Sequence, residues 1–267
     1  MGIKSIKNKE NIMGILEKKG NVSVSELVPI LKVSEFTIRR YLEEMEKEGC
    51  LIRIYGGAVK KDKGLSPDFF FGEKAKRHIK EKRMIAEQAN SLVKSGETIF
   101  LDTGTTTLEI ARLLKGSEKN LVVATNSLPV VSELSHIANI RVFVIGGFLR
   151  QELMDFAGPF SDKEIENLNF DQAFLGVDAI SSEIGLTTTD ITTARIEEAV
   201  MERSKVINIV ADFSKIGKVS LIPYGRIKER KVKIRLITDP RANREELKKM
   251  RRAGIEVEIA SQKGKEE

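Results

Sequence analysis

From Glu97 onward the chain repeats one pattern: short runs rich in Val, Ile and Leu, most of them separated by stretches of helical periodicity. The runs fall at 98–102, 121–125, 141–145, 172–177, 206–211 and 234–238, with a last helix near 244–252 and a final run at 255–259. Parallel strands cannot be joined by a tight hairpin, so each needs a crossover, and a sheet covered by helices on both faces asks for continuous apolar strands. The pattern predicts an α/β fold built on a parallel sheet. In open sheets of this kind ligands gather at the carboxyl ends of the strands, which directs attention to the loops that follow each run.

The first sixty residues are organised differently. Ile6, Ile12, Ile15 and Leu16 form a stripe at near-helical spacing that ends at Gly20. Ser23 and Glu26 have capping-box spacing for a second helix carrying Leu27, Ile30 and Leu31, with Pro29 expected in its first turns. Ser34 caps a third helix that runs to about Lys47 and stops at Gly49. Alternation from Leu51 to Val59 around Gly56-Gly57 signals a hairpin. Three helices and a hairpin, with a tight turn between the second and third helices, make a winged helix-turn-helix pattern. The expected division is a DNA-binding domain at 1–60, a linker at 61–72 and an effector-binding α/β domain at 73–267. Phe69, Phe70 and Phe71 close the linker and are expected to dock rather than stay solvated. A single long helix is expected over 73–95.

Charge separates along the same lines. Residues 1–83 carry 19 Lys and Arg against 12 Asp and Glu; residues 84–225 carry 12 against 19; residues 226–267 carry 14 against 8. A basic front on an acidic middle suits a part that meets a polyanion and a part with another task. The lone cysteine, Cys50, excludes an intrachain disulfide and a cysteine-built zinc site. His78 and His136 stand in unrelated contexts, so neither metal nor cofactor is expected. No apolar window reaches the ~18 residues of a membrane span, and no signal segment is visible. These features predict a cytoplasmic protein.

In the third helix Ile38, Leu42 and Met45 share one face and belong to a core. At 100° per residue the helix then presents Glu35, Phe36, Thr37, Arg39 and Arg40 outward. Such a helix can place its first residues at base edges and its arginines on guanine or phosphate. Ser34 at its start and Arg53 and Tyr55 on the hairpin complete the expected DNA-facing set. The bland alternatives are a solvated helix face or a docking surface for another protein.

In the second part, the strand at 98–102 runs into Thr103-Gly104-Thr105-Thr106-Thr107 and then a helix. A strand, a Gly/Thr turn and a helix N-terminus make a cradle for an anion. The loop has neither the lysine of a nucleotide P-loop nor the triple glycine of a dinucleotide fold. Asp102 is placed to accept hydrogen bonds from sugar hydroxyls. Asn126, Gly146-Gly147, Asp178 and Lys215 follow other strands on the same edge. Taken singly each is a turn residue; their common position favours a small polar anion.

Taken together these segments resemble a known family. VSEFTIRRYLEEMEKEGCLIRIYGGA is similar to the N-terminal signature of the DeoR/GlpR-type bacterial transcription regulators. LDTGTTT, ATNS, Gly146-Gly147, FLGVDAIS and ADFSKIG resemble successive blocks of that family's sensor domain. The resemblance implies a winged helix-turn-helix joined to a Rossmann-like domain similar to ribose-5-phosphate isomerase. It implies a homo-oligomeric regulator, in most cases a repressor, of a sugar or polyol operon, with operator DNA and a phosphorylated sugar as partners. Phosphate and sugar contacts would fall on Asp102 to Thr107, Asn126, Asp178 and Lys215. The family usually has an aspartate after Ile-Arg-Arg, where this chain has Tyr41, which alters the expected surroundings of the two arginines.

An isomerase-like domain could also catalyse. The related isomerases carry a glutamate in an Arg-Glu-Lys segment, and the counterpart here reads Arg195-Ile196-Glu197. A one-residue shift rotates a helical side chain by about 100°. Binding without turnover is therefore the expectation, with an active phosphosugar isomerase as the alternative.

Overall fold

The capping box expected at Ser23 forms: the Ser23 hydroxyl accepts the Glu26 amide and the Glu26 carboxylate accepts the Ser23 amide, both at 3.1 Å. It opens the second helix of a unit spanning residues 1–77, which a computed structural model separates from a second unit at 78–267. The structure describes residues 3–19, 21–54, 56–60, 71–225 and 232–261.

The first unit runs α1 (Ile3–Lys19), β1 (Asn21–Ser23), α2 (Val24–Leu31), α3 (Glu35–Lys47), β2 (Leu51–Ile54), β3 (Gly57–Lys60) and α4 (Phe71–Lys76). Ile12, Leu16, Leu27, Ile38, Leu42, Met45 and Leu51 fill its core, while Ile6 of the α1 stripe stays exposed. Pro29 is not in the first turn of α2: the helix begins at Val24, so Pro29 is its sixth residue. A proline there removes a bond from the ladder, in a helix short enough to end two residues later. Gly49 follows α3 with φ 75° and stops it as expected. β3 pairs with β2 and also with β1, an added strand that sets Ser23 against Gly57. A Cβ on Gly57 would lie 2.0 Å from the Val22 carbonyl oxygen, so the close approach requires glycine.

The single helix expected over 73–95 is two helices. α4 ends at Lys76, and α5 (Ile79–Leu92) starts after His78, whose φ of 53° is left-handed and breaks the helical path. The His78 ring meets Phe213 edge-on at 4.8 Å, a contact that helps hold this conformation. Of the three phenylalanines, Phe69 and Phe70 lie outside the described residues. Phe71 is buried in α4, which packs on β2.

The second unit continues with β4 (Thr98–Leu101), α6 (Thr105–Leu114), β5 (Leu121–Thr125), α7 (Leu128–Leu134) and β6 (Ile140–Val144). Next come β7 (Phe148–Arg150), β8 (Asp155–Ala157), α8 (Pro159–Glu166), β9 (Phe170–Leu175), β10 (Ala179–Ser181) and β11 (Gly185–Thr188). After α9 (Ile191–Glu202) and β12 (Ser204–Val210) a 3-10 turn covers Phe213–Lys215. β13 (Ile222–Tyr224), β14 (Lys233–Thr238), α10 (Arg244–Arg252) and β15 (Glu256–Ile259) complete it. The seven runs read from the sequence are the seven strands of one parallel sheet, in the order β15-β14-β12-β9-β4-β5-β6. One apolar cluster joins α5, α6 and α7 to one face and another joins α8, α9 and α10 to the other. Two small antiparallel sheets, β7-β8 and β10-β11-β13, are additions to the expected pattern.

A polar chain crosses the sheet inside this apolar frame. The buried Arg235 donates to Asn208 at 2.9 Å, Asn208 to Gln172 at 3.0 Å, and Gln172 to Glu97 at 2.8 Å and to the Leu92 carbonyl at 2.9 Å. Glu258 closes the other end, 2.8 Å from Arg235 Nε. Replacing Asn208, which is fully buried, by leucine keeps the volume but strands a guanidinium N–H and an amide oxygen. Asn208→Leu should therefore cost about 3 kcal/mol in urea denaturation; a loss below ~1 kcal/mol would show that these groups find water or other partners.

Candidate functional site

The chain builds the sheet outward from β4 to β5 and β6, then returns to place β9 on the other side of β4. Where strand order reverses, the loops after two adjacent strands diverge and leave a crevice. Gly104 and Gly176 stand at this point: a Cβ on Gly104 would lie 3.5 Å from Gly176 Cα, and one on Gly176 only 3.3 Å from Asp102 Oδ2. The two strand ends thus lie in van der Waals reach, and a side chain at Gly176 would press on the Asp102 carboxylate.

Asp102 leaves β4 almost fully buried and accepts the Gly176 amide at 3.1 Å. Burial pushes its pKa up to about 7, with Asp155 and Asp178 adding to the rise, while the Thr103 and Gly176 amides hold the charged form. Thr107 is buried, and its hydroxyl is taken up within the loop by the carbonyls of Asp102 (2.6 Å) and Gly104 (2.7 Å). Thr106 is buried, whereas Thr103, Gly104 and Thr105 keep partial exposure. α7, α9 and α10 are capped by the side chains of Ser127, Asp190 and Asn243; α6 begins at Gly104 with no side-chain cap. Its first-turn amides therefore have no partner from a cap residue.

Asn126 joins this group. It takes the Thr103 hydroxyl at 3.4 Å and exchanges hydrogen bonds with Phe156, at 2.8 Å and 3.3 Å. Asp178 accepts the Thr188 hydroxyl at 2.9 Å and the Thr189 amide and hydroxyl at 3.2 Å. Gly146 and Gly147 engage elsewhere. Gly146 bonds Glu164 and Ser161, and a Cβ on Gly147 would sit 2.7 Å from the Ala157 carbonyl oxygen. Lys215 ends the 3-10 turn, partly exposed, and among the described residues nothing pairs it with the threonine loop.

Several residues of the rim escaped the sequence reading. Arg150 on β7 grips the buried Asp155 in two parallel bonds, Nε–Oδ1 at 2.8 Å and Nη2–Oδ2 at 2.6 Å, and reaches Asp190 at 2.6 Å. Burial pushes Asp155 up against the pull of Arg150, whereas the Thr193 amide and Arg150 hold Asp190 low despite partial burial. Tyr224 lies buried beside Glu197; burial and the charges of Glu197, Asp102 and Asp178 push its phenol well above the usual range. Polar contacts thus run from Thr103 through Asn126, Phe156, Asp155, Arg150 and Asp190 to Thr188 and Asp178, around the carboxyl edge of the sheet. Among the described residues no cluster of three or more His, Cys, Asp or Glu could hold a metal, and no helix is long and apolar enough to cross a membrane.

In the first unit Phe36 is 76% exposed, and Ser34, Glu35, Arg39 and Arg40 are exposed with it, Thr37 less so. Arg39 pairs loosely with Glu35 at 3.4 Å and Arg40 with Glu44 at 3.7 Å. Ser34 caps α3 through the Thr37 amide. Tyr41 is buried, so it belongs to the core rather than to the exposed face beside the arginines. Arg53 is partly exposed on β2, and Tyr55 lies outside the described residues.

The raised Asp102 pKa has a sign that can be checked. An unfolded aspartate titrates near ~4, so folding favours the protonated form; this stabilisation is complete below ~4 and is lost as pH rises through about 7. Asp102→Asn should raise the thermal midpoint relative to the parent chain at pH 8 and lose that advantage by pH 4.5. An equal shift at both values would mean that the Asp102 charge is not what burial penalises.

Comparison with known proteins finds a match in each unit. The DeoR-like helix-turn-helix domain model matches residues 9–63, and the DeoR C-terminal sensor domain model matches 77–239. The HTH-type transcriptional regulator GlpR of Haloferax volcanii is 32% identical over 93% of this chain and 95% of its own length. The lactose phosphotransferase system repressor of Staphylococcus epidermidis is 31% identical over 82% and 87%. Among solved structures, ribose 5-phosphate isomerase A from Neisseria gonorrhoeae is 20% identical over 52% of this chain and 54% of its own, with a TM-score of 0.39. With both domain models matched in order and relatives aligned along nearly the whole length, the chain belongs to the DeoR family of transcriptional regulators.

Proposed function

We propose that this regulator represses an operon for sugar or polyol catabolism and that a phosphorylated sugar, bound at the carboxyl edge of the seven-stranded sheet, sets its affinity for operator DNA. The observation that carries this reading is the uncapped start of α6 beside Asp102. Open amides at a helix N-terminus favour a phosphate, and a carboxylate next to them suits the hydroxyls of a polyol. The phosphate lies on Thr103, Gly104, Thr105 and Thr106, approached by Lys215; Asp102, Asn126 and Asp178 take the hydroxyls. Thr107, Gly146 and Gly147 shape the loops. Repression of sugar genes is supported by the lactose phosphotransferase system repressor among the relatives.

On the DNA side, Ser34, Glu35, Phe36, Thr37, Arg39 and Arg40 form the reading surface and Arg53 the contact from the wing. The protein acts as a homo-oligomer; support comes from Phe143 and Val144 on the edge strand β6 and from Phe148 and Phe160, all exposed. Ligand alters DNA affinity only as far as it discriminates between two conformations. Binding proceeds without turnover. In support, Glu197 is buried beside Tyr224 rather than open to a substrate, and a general base must reach the proton it takes.

Fluorescence anisotropy with DNA from upstream of the protein's own gene, titrated with a panel of sugar phosphates, tests this directly. Arg40→Ala should weaken operator binding about tenfold or more, and Lys215→Ala should leave it intact while blunting the response to the active phosphosugar. A normal response in Lys215→Ala would remove Lys215 from the phosphate site. Ribose-5-phosphate isomerisation lost in Asp178→Ala would make the sensor an enzyme.

A further inference from the structure

Glu46 sits near the end of α3, outside the exposed reading surface, yet three elements meet at its carboxylate. Its Oε1 accepts the Arg53 amide of β2 at 3.1 Å and the Lys76 ammonium of α4 at 2.7 Å. Its Oε2 stands 3.9 Å from Arg53 Nη1, beyond hydrogen-bond reach. Lys76 is shared with Glu73, also at 2.7 Å. α4 is seated on β2 by the buried Phe71. Lys76 is its last residue, three positions before the start of the helix that opens the sensor unit.

Glu46 therefore has two cationic claimants. One, Lys76, holds it at full charge-assisted distance; the other, Arg53, is kept at arm's length by the guanidinium and tethered only through its amide. We propose that Lys76 governs the availability of Arg53 to DNA phosphate by occupying Glu46, a role that rests on the reading of Arg53 as a DNA contact. With Lys76 in place the Arg53 guanidinium keeps its charge for a phosphate. When Lys76 withdraws, the partly buried Glu46 is left without its closest cation and closes on Arg53, the fork that suits a carboxylate best. The wing then loses one phosphate contact. Glu46 and Lys76 are positioning residues here, acting through Arg53. Because Lys76 adjoins the sensor unit along the chain, a change there has a short covalent path to this switch.

The test uses the full chain, a duplex carrying the DNA upstream of its own gene, anisotropy across a salt series, and melting curves to check folding. Lys76→Gln should weaken binding about fivefold to tenfold and make the salt slope shallower by about one, while Lys76→Arg binds as the parent does. In an Arg53→Ala background Lys76→Gln should cost nothing more, because the two act on one contact. Adding Glu46→Gln to Lys76→Gln should restore the affinity. Unchanged binding by a folded Lys76→Gln, or an equal loss in the Arg53→Ala background, would overturn the proposal; the latter would make Lys76 a direct contact. Failure of Glu46→Gln to restore binding would overturn it equally. A parent chain without salt-sensitive DNA binding would instead sink the DNA reading itself.

Discussion

Backbone contact between Gly104 and Gly176, where β4 and β9 end side by side, is the constraint from which the sensor unit's polar rim follows. Parallel strands deliver all their loops to one edge, and the reversal of strand order at β4 makes a gap there. The two glycines close the floor of that gap, and the Asp102 carboxylate reaches across it to the Gly176 amide. Once Asp102 is fixed and buried, the neighbouring loops must supply donors or cations, since a buried carboxylate without them is costly. Thr103 and Gly176 supply amides, and the rest of the rim is arranged around the remaining negative charge.

Arg150 neutralises two further carboxylates of the rim. It holds Asp155 and Asp190 together, and those two carboxylates come from the β7-β8 hairpin and from the cap of α9. The hairpin is tied in turn to Asn126, and the α9 side to Asp178 through Thr188. The hairpin and the α9 side, where β8 packs on α9, are thereby joined by charge as well. Breaking one link would leave a buried charge uncompensated rather than simply remove a contact. The winged unit repeats this economy on a smaller scale at Glu46.

The central sheet was legible because its inner strands, buried on both faces, write themselves as nearly continuous apolar runs. The helix α3 was legible because its buried positions recur at helical spacing. What escaped has a common cause. β7, β8, β10 and β13 are three residues long, too short for any period to register. The break at His78 has no glycine or proline to announce it; a contact with Phe213, distant in sequence, accompanies it. Arg150 meets one partner five residues away and another forty away, so no local pattern contains the triad. Tyr41 turned out to be a core residue, consistent with its lying three positions after Ile38 on the same face. In the candidate site the loops were found by their place after strands. Which of their atoms remain open to a ligand was not readable, because Thr107 and the two glycines at 146–147 are consumed by contacts within the protein.

Gly57 carries a consequence for how the wing meets its target. Its Cα lies so close to Val22 that any residue with a side chain, carried there by a slip of β3 along β1, would clash, and β1 leads directly into α2. The hairpin and the helix pair are thus tied together by the β1-β3 pairing before any DNA arrives. Much of the ordering that a free wing would undergo on association is completed during folding instead, so less conformational entropy opposes the encounter. A larger residue at this position would unfasten the wing without touching any group that faces DNA, and its effect would surface in the entropy of binding.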